Sequence, residues 1–176
     1  YWELGRDLAT GEPYEFGSPD RRVHRAPGYP LVLASLFRIV GPDASPASAR
    51  WLGAAIGTLT VGVVYWLARI LFDRRVALWA AIVVALYPET IATSVLPLSD
   101  GPFCLWMVLQ LVLWRYAVAA THANGTALAV CAGAIGGIAT LTRPSWLLYS
   151  PLLALAWWIG ARFDRRVLAN FVAMVG

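Results

Sequence analysis

Long apolar runs recur along this chain and restrict its fold more than any other feature. A helix rises 1.5 Å per residue, so about 20 residues are needed to cross a hydrocarbon core of about 30 Å. The runs have few charges and lie at residues 51–72, 76–98, 102–120, 126–141, 145–161 and from 167 onward. They predict an all-α integral membrane protein, with a bundle of about five to six spans in residues 47–176, truncated at both ends.

The composition agrees with a membrane protein and argues against other classes. Hydrophobic residues make up 59% of the chain and charged residues only 14%, with a mean hydropathy of +0.62. Soluble domains are roughly 45–50% apolar and about 25% charged, so a soluble globular enzyme and a disordered chain are both excluded. All 14 basic residues are arginine, and nine Trp and seven Tyr suit a lipid interface rather than nucleic acid.

Residues 1–46 differ from the rest of the chain, because they hold nearly half of its charges and are divided by Gly and Pro. Two short amphipathic helices are predicted there, Trp2–Thr10 stopped by Gly11 and Pro30–Val40 stopped by Gly41. Neither helix is long enough to span a bilayer. We therefore predict a first loop at the membrane interface, followed by the bundle.

Charge predicts which side each connection faces, since arginine accumulates on the cytoplasmic side. The connections at one end of the spans collect seven arginines against two aspartates, and those at the other end collect seven arginines against eight acids. Residues 1–46 and the turns near Glu89, Asp100 and Arg143 are thus expected to face outward. This predicts a multi-pass protein of the plasma (inner) membrane with its active face outward.

Prolines and glycine spacings predict where helices of the bundle break and where they pack closely. Pro88 should kink or end the second run, which would continue as irregular backbone. The turn at 142–144 should join two short runs into a transmembrane hairpin. The spacings Gly53-xxx-Gly57 and Gly133-xxx-Gly137 are typical of closely packed helices.

Carboxylates at the outward helix ends are the first candidates for function. Asp100 directly precedes a span, where it or Ser99 could cap the helix or could face a ligand or metal. Glu89 is a second outward carboxylate, explained equally well by solvation in a loop. The two cysteines lie alone in apolar runs, and no metal site is predicted from residue spacing.

Two outward arginines are candidates for phosphate binding. Arg25 precedes Ala26-Pro27 and Tyr29-Pro30, whose prolines give the loop a defined shape. Its guanidinium could bind either a substrate phosphate or bulk lipid phosphate. Arg143 raises the same alternatives of phosphate recognition and snorkelling. Without a Ser-His-Asp set, an HExxH motif or a nucleotide fingerprint, these groups best suit a lipid-linked anionic substrate.

The order of several short motifs points to one family. They are an aromatic-led stretch at 1–11, Arg25-Ala-Pro-Gly-Tyr-Pro30, the run 66–75, Ala85-Leu-Tyr-Pro88, Ser99-Asp100 and Leu141-Thr-Arg-Pro144. This order resembles the GT-C membrane glycosyltransferases. The branch it is most similar to contains the dolichyl-phosphate-mannose protein mannosyltransferases and the bacterial lipid A aminoarabinose transferases.

This resemblance implies transfer of a sugar from a polyprenyl-phosphate donor to an acceptor at the outer face. It places Asp100 at a catalytic acidic site, and Arg25, Tyr29 and Arg143 at substrate-binding positions. The family's main acid would fall just before Tyr1; Glu3 could replace part of its function or simply form a solvated pair with Arg6. The cofactor stays undefined, a divalent metal being compatible with these carboxylates.

Two other function classes fit the sequence less well. A transporter or flippase of lipid-linked or anionic substrates would use Pro88 and Pro144 as breaks in its helices, but it should also show repeated halves and polar residues at mid-bilayer. A noncatalytic assembly subunit has no need of a large shaped loop. The transferase hypothesis depends on Arg25, Asp100 and Arg143 converging on one pocket at the outer rim of the bundle.

Overall fold

The computed structural model describes residues 1–14, 25–41, 44–120 and 123–160, and within these ranges the chain is helical without strands. The helices are α1 Trp2–Thr10, α2 Gly28–Val40, α3 Pro46–Leu71, α4 Arg74–Leu86, α5 Pro88–Val95, α6 Asp100–Ala119, α7 Ala123–Thr142 and α8 Tyr149–Gly160. A short 3₁₀ helix, Pro144–Leu148, joins α7 to α8.

Three of these helices are long and apolar enough to cross a membrane: α3, α6 and the part of α7 from Asn124. The bent pair α4–α5 could form a fourth, broken span. The all-helical membrane architecture predicted from the apolar runs is therefore confirmed. The helix predicted from residue 167 onward lies outside the described residues.

The break at Pro88 has the expected position, but its continuation differs from the prediction. Tyr87 is extended, with φ −68° and ψ 122°, and α5 then begins at Pro88 and lies 55° away from α4. Proline disfavours a helical residue before it, yet its fixed φ suits the first turn of a new helix. The prediction of irregular backbone was therefore wrong, since the chain resumes as a second helix.

The first loop contains both predicted short helices, and they pack together. Helix α1 ends at Gly11, whose φ of 82° is a left-handed conformation that favours glycine. Helix α2 begins at Gly28, two residues before the predicted start, and ends before Gly41. Their shared core contains Leu33 and Phe37, and Trp2 contacts the Phe37 ring edge-on with centroids 4.7 Å apart.

Helix α3 is at the centre of the bundle, where it packs against α4, α5 and α6, while α7 lies along α6. Gly53 and Gly57 allow Ser94 of α5 to approach α3 closely, as their spacing predicted. The second glycine pair behaves differently, because no described residue of another helix packs against Gly137, and the neighbouring Gly136 contacts Gln110 instead. The close-packing prediction was therefore wrong at Gly137.

The predicted hairpin after α7 is only partly seen. The 3₁₀ helix packs against α7 and includes the predicted turn at Pro144. Helix α8 has 12 residues as far as Gly160, fewer than the about 20 needed for a span. The described part of this hairpin thus has one full-length arm, α7.

Candidate functional site

A cavity of about 370 Å³ opens between α3, the α4–α5 bend and α6. Its apolar wall is formed by Val64, Val84, Met107 and Val108. Hydroxyl groups are contributed by Thr60, Thr90, Thr93 and Ser94. Three charged residues also line it, Glu89, Asp100 and Arg143. We call this space the bundle cavity, and its lining combines a largely apolar interior with charges at the helix ends.

Asp100 and Arg143 form an ion pair in the lining of the bundle cavity. Arg143 Nη2 lies 2.7 Å from Asp100 Oδ1, and the side chains are 47% and 31% exposed, respectively. The cap position of α6 is Ser99, which makes no side-chain capping hydrogen bond, and Asp100 is the first helical residue. The capping alternative is therefore not observed, because the Asp100 carboxylate turns toward the guanidinium instead.

The end of α7 explains why Arg143 reaches this position. Arg143 is extended, with φ −140° and ψ 108°, because Pro144 follows it and disfavours a helical residue there. Its backbone N–H still donates to the carbonyl of Ala139 at 2.8 Å, which keeps the turn close to α7. Its guanidinium carbon also lies 5.7 Å from the centroid of the Phe103 ring, a cation–π distance.

A buried polar network lies behind Arg143 and was missed by the sequence analysis. Gln110 is fully buried in the middle of α6. Its Oε1 accepts a hydrogen bond from Trp146 Nε1 at 2.7 Å, and its Nε2 donates to Ser150 Oγ at 2.6 Å. A polar side chain at membrane depth is costly unless it is paired, so a glutamine in the centre of a span was the available signal. The network joins α6 to the segment that directly follows Arg143.

Replacing Gln110 by leucine is expected to destabilise the protein by about 1–3 kcal/mol, since Trp146 and Ser150 would lose their buried partner. Trp146→Phe, which removes one of the two hydrogen bonds and keeps an aromatic ring, should have a smaller effect. Unfolding of the purified protein in detergent measures both changes. A Gln110→Leu variant as stable as the wild type would show that the network adds no stability.

The first loop docks directly on the turn that carries Arg143. A side chain at Gly28 would come within 2.6 Å of both the backbone nitrogen and Oγ1 of Thr142. Gly28 and Thr142 are both buried, and the Thr142 hydroxyl donates to the carbonyl of Ile138 at 2.9 Å. The glycine of the Ala26-Pro27-Gly28-Tyr29 motif thus permits close backbone contact between α2 and the end of α7.

The other predicted site residues lie in the first loop rather than among the residues that line the bundle cavity. The Arg25 guanidinium carbon is 4.7 Å from the centroid of the Tyr1 ring. The backbone carbonyl of Arg25 accepts a hydrogen bond from Tyr14 Oη at 3.0 Å. Tyr29 is 5% exposed and meets Tyr1 edge-on. Glu3 is exposed on α1. The predicted convergence therefore unites Asp100 with Arg143, while Arg25 and Tyr29 gather around Tyr1.

Tyr29 nevertheless lies close to the site. It lines a small cavity with Gly101 and Pro102, the residues that follow Asp100 in α6. Burial, with a smaller contribution from Tyr1, raises the pKa of Tyr29 to about 12. Its hydroxyl therefore stays protonated at neutral pH and is a neutral group at the junction of loop and bundle.

The residues that the structure describes hold few candidate metal ligands. No group of three or more His, Cys, Asp or Glu side chains comes together among them. Asp100 is already paired with Arg143, which leaves Glu89 as the second carboxylate in the lining. Two carboxylates are few for Ca²⁺, which takes six to eight oxygen ligands, whereas Mg²⁺ is usually held by one or two carboxylates together with substrate phosphates.

Comparison with known proteins places this arrangement in a family. Searches of curated proteins and of solved structures found no match. The family model for dolichyl-phosphate-mannose-protein mannosyltransferase matches residues 24–176, which include α2, the whole bundle cavity and the turn at Arg143. This match covers most of the chain and agrees with the resemblance seen in the order of motifs. The chain therefore belongs to the dolichyl-phosphate-mannose-protein mannosyltransferase family, a family of membrane glycosyltransferases.

Proposed function

We propose that this protein transfers a sugar from a polyprenyl-phosphate donor to an acceptor hydroxyl at the extracytoplasmic face of the plasma (inner) membrane. Family membership supports glycosyl transfer of the mannosyltransferase type. The observation that carries the proposal further is the Asp100–Arg143 pair in the lining of a largely apolar cavity. A polyprenyl-phosphate sugar has the same division into an apolar chain and an anionic head.

Arg143 is suited to hold the donor phosphate. A guanidinium has five N–H donors in a planar fork, so its contact with Asp100 leaves donors for phosphate oxygens. Its side chain is 47% exposed, which leaves room for a ligand to approach. When the sugar leaves, negative charge grows on the phosphate, and a fixed guanidinium stabilises that charge.

Asp100 is suited to hold Arg143 and to meet the acceptor. In the transfer step the acceptor oxygen forms a bond to the anomeric carbon, and the bond from that carbon to the phosphate oxygen breaks. The proton of the acceptor hydroxyl must then pass to a base, and a carboxylate is a common one. Asp100 is 31% exposed in the cavity lining, where one carboxylate can contact both Arg143 and a hydroxyl group.

Charge distribution supports the outward orientation of this site. Helices α3 and α6 run in the same direction, because Gly53 and Gly101 line one cavity near their starts and Trp66 Nε1 donates to Tyr116 Oη at 3.1 Å near their ends. Near these ends, opposite the Asp100–Arg143 pair, lie Arg69, Arg74, Arg75 and Arg115. Arginine accumulates on the cytoplasmic side of membrane proteins, so we propose that the site faces the other side.

Transfer of radiolabelled mannose from polyprenyl-phosphate-mannose, measured in membranes that contain the protein, tests this proposal. The Asp100→Asn variant is expected to lose about 100-fold or more of the rate, the usual contribution of a positioned acid or base. Asp7→Asn, a carboxylate change on α1 away from the cavity, is the matched control and should keep the wild-type rate. Absence of transfer by the wild type, or an unaffected Asp100→Asn variant, would contradict the proposal.

A further inference from the structure

We propose that Glu89 binds a hydroxyl group of the sugar that the donor carries. The proposal rests on the proposed function, because it takes the donor phosphate to be held at Arg143. In a polyprenyl-phosphate sugar the sugar is bonded directly to the phosphate. A group that lines the same cavity as Arg143 is therefore well placed to contact the sugar.

The break at Pro88 is what brings Glu89 to the cavity. Helix α5 begins at Pro88, so Glu89 lies in its first turn, and the 55° bend directs α5 away from the line of α4. Glu89 consequently shares the cavity lining with Asp100 and Arg143, although it comes from a different helix. Cys104, one turn into α6, lines the same cavity as these three charged residues.

The pairing of the three charges leaves Glu89 available. Asp100 is engaged with Arg143 at 2.7 Å. Within the described ranges, no arginine lies within ion-pair distance of Glu89. A carboxylate accepts charge-assisted hydrogen bonds, which are stronger than neutral ones, and its two oxygens can contact two neighbouring hydroxyl groups of a sugar. Sugars present such pairs of hydroxyl groups.

The surroundings of Glu89 also suit a sugar. Tyr87, which directly precedes α5, and Phe103 of α6 line the same cavity. Aromatic rings offer apolar faces that pack against the C–H groups of a sugar ring. An acidic residue at a helix N-terminus can also simply stabilise the helix through its dipole. That explanation predicts a loss of helix stability on mutation and no effect on the choice of ligand.

A comparison of two ligands separates these explanations. Binding of sugar-free polyprenyl phosphate and of polyprenyl-phosphate-mannose is measured with the purified protein in lipid nanodiscs. In Glu89→Ala we expect the preference for the mannose-loaded lipid to fall by about tenfold or more, the value of a hydrogen bond to a charged group. Affinity for sugar-free polyprenyl phosphate should stay unchanged. Glu12→Gln, a carboxylate change in the first loop, is the control and should leave both affinities as in the wild type.

The outcomes distinguish this inference from the proposed function. If the wild type binds neither lipid, the proposed function fails. If the wild type binds both lipids, two results overturn the assignment of Glu89 to the sugar. One is a fall in the preference of less than about tenfold in Glu89→Ala, and the other is an equal loss of affinity for both lipids. A variant that only unfolds at lower temperature, with unchanged preference, would show that Glu89 acts on helix stability alone. Glu89→Asp, which keeps the negative charge at the helix start but shortens the side chain, should also lose the preference.

Discussion

Replacing Arg143 by alanine is expected to weaken binding of polyprenyl phosphate by about tenfold to 100-fold, because the proposed phosphate ligand is removed. The same change leaves the Asp100 carboxylate without its partner at 2.7 Å, so a negative charge then faces the incoming phosphate. Arg143→Lys should recover only part of the affinity, since an ammonium group cannot contact Asp100 and a phosphate in the planar geometry of a guanidinium. Titration of polyprenyl phosphate into nanodisc-embedded protein measures these effects.

Arg50 provides the control for this experiment. It is an exposed arginine near the start of α3, the fifth residue of the helix, and does not line the bundle cavity. Arg50→Ala removes the same charge from the protein, so it corrects for a general loss of attraction to anionic lipid. If Arg50→Ala and Arg143→Ala weaken binding equally, Arg143 acts through bulk charge and the phosphate site is elsewhere.

Replacing Gly28 by alanine is expected to destabilise the protein by about 1–3 kcal/mol, because the added methyl group overpacks a tight contact. The atoms in its way belong to the backbone of Leu141 and Thr142 and to the Thr142 hydroxyl, at 2.6–2.7 Å from the position of the new carbon. Backbone cannot move aside as a flexible side chain can. The loop or the turn must therefore shift, and a displaced turn carries Arg143 away from Asp100. Thermal unfolding and the transfer rate measure the two consequences.

The same substitution at Gly137 is the matched control. Gly137 is also a helical glycine near the end of α7, but among the described residues no atom beyond its own stretch of helix lies within 4 Å of the position its side chain would take. Alanine there should be neutral or should stabilise the protein by up to about 1 kcal/mol through its higher helix propensity. Equal destabilisation at both positions would mean that the contact between Gly28 and Thr142 is not tight.

Local sequence signals predicted much of the fold, because local physics determines those features. Gly11 and Gly41 end the two short helices of the first loop, since they take up positive φ values that other residues avoid. The broken span at Pro88 follows from the missing N–H of proline. The Asp100–Arg143 pair could also be predicted, because Asp100 begins α6 and Arg143 follows α7, so the topology places both residues at the same end of the bundle.

Features that depend on packing between helices could not be predicted in this way. The glycine spacing in α7 indicated Gly133 and Gly137, yet the position of Gln110 on α6 decides that Gly136 makes the close contact. Arg25 was expected at the pocket because its motif lies in the correct loop, but the nearby Tyr1 ring meets its guanidinium. Glu89 was interpreted as a possible loop residue, and only the orientation of α5 places it in the cavity lining.

The most direct test of the account is where the donor lipid lies. A polyprenyl phosphate with a photoreactive group on its chain is cross-linked to the protein, and the labelled residues are identified by mass spectrometry. We predict labelling of Met107 and Val64 in the bundle cavity, and its loss when excess unlabelled polyprenyl phosphate competes. Labelling confined to residues on the outer surface of the bundle, such as the exposed Trp79 and Val83 of α4, would contradict the account.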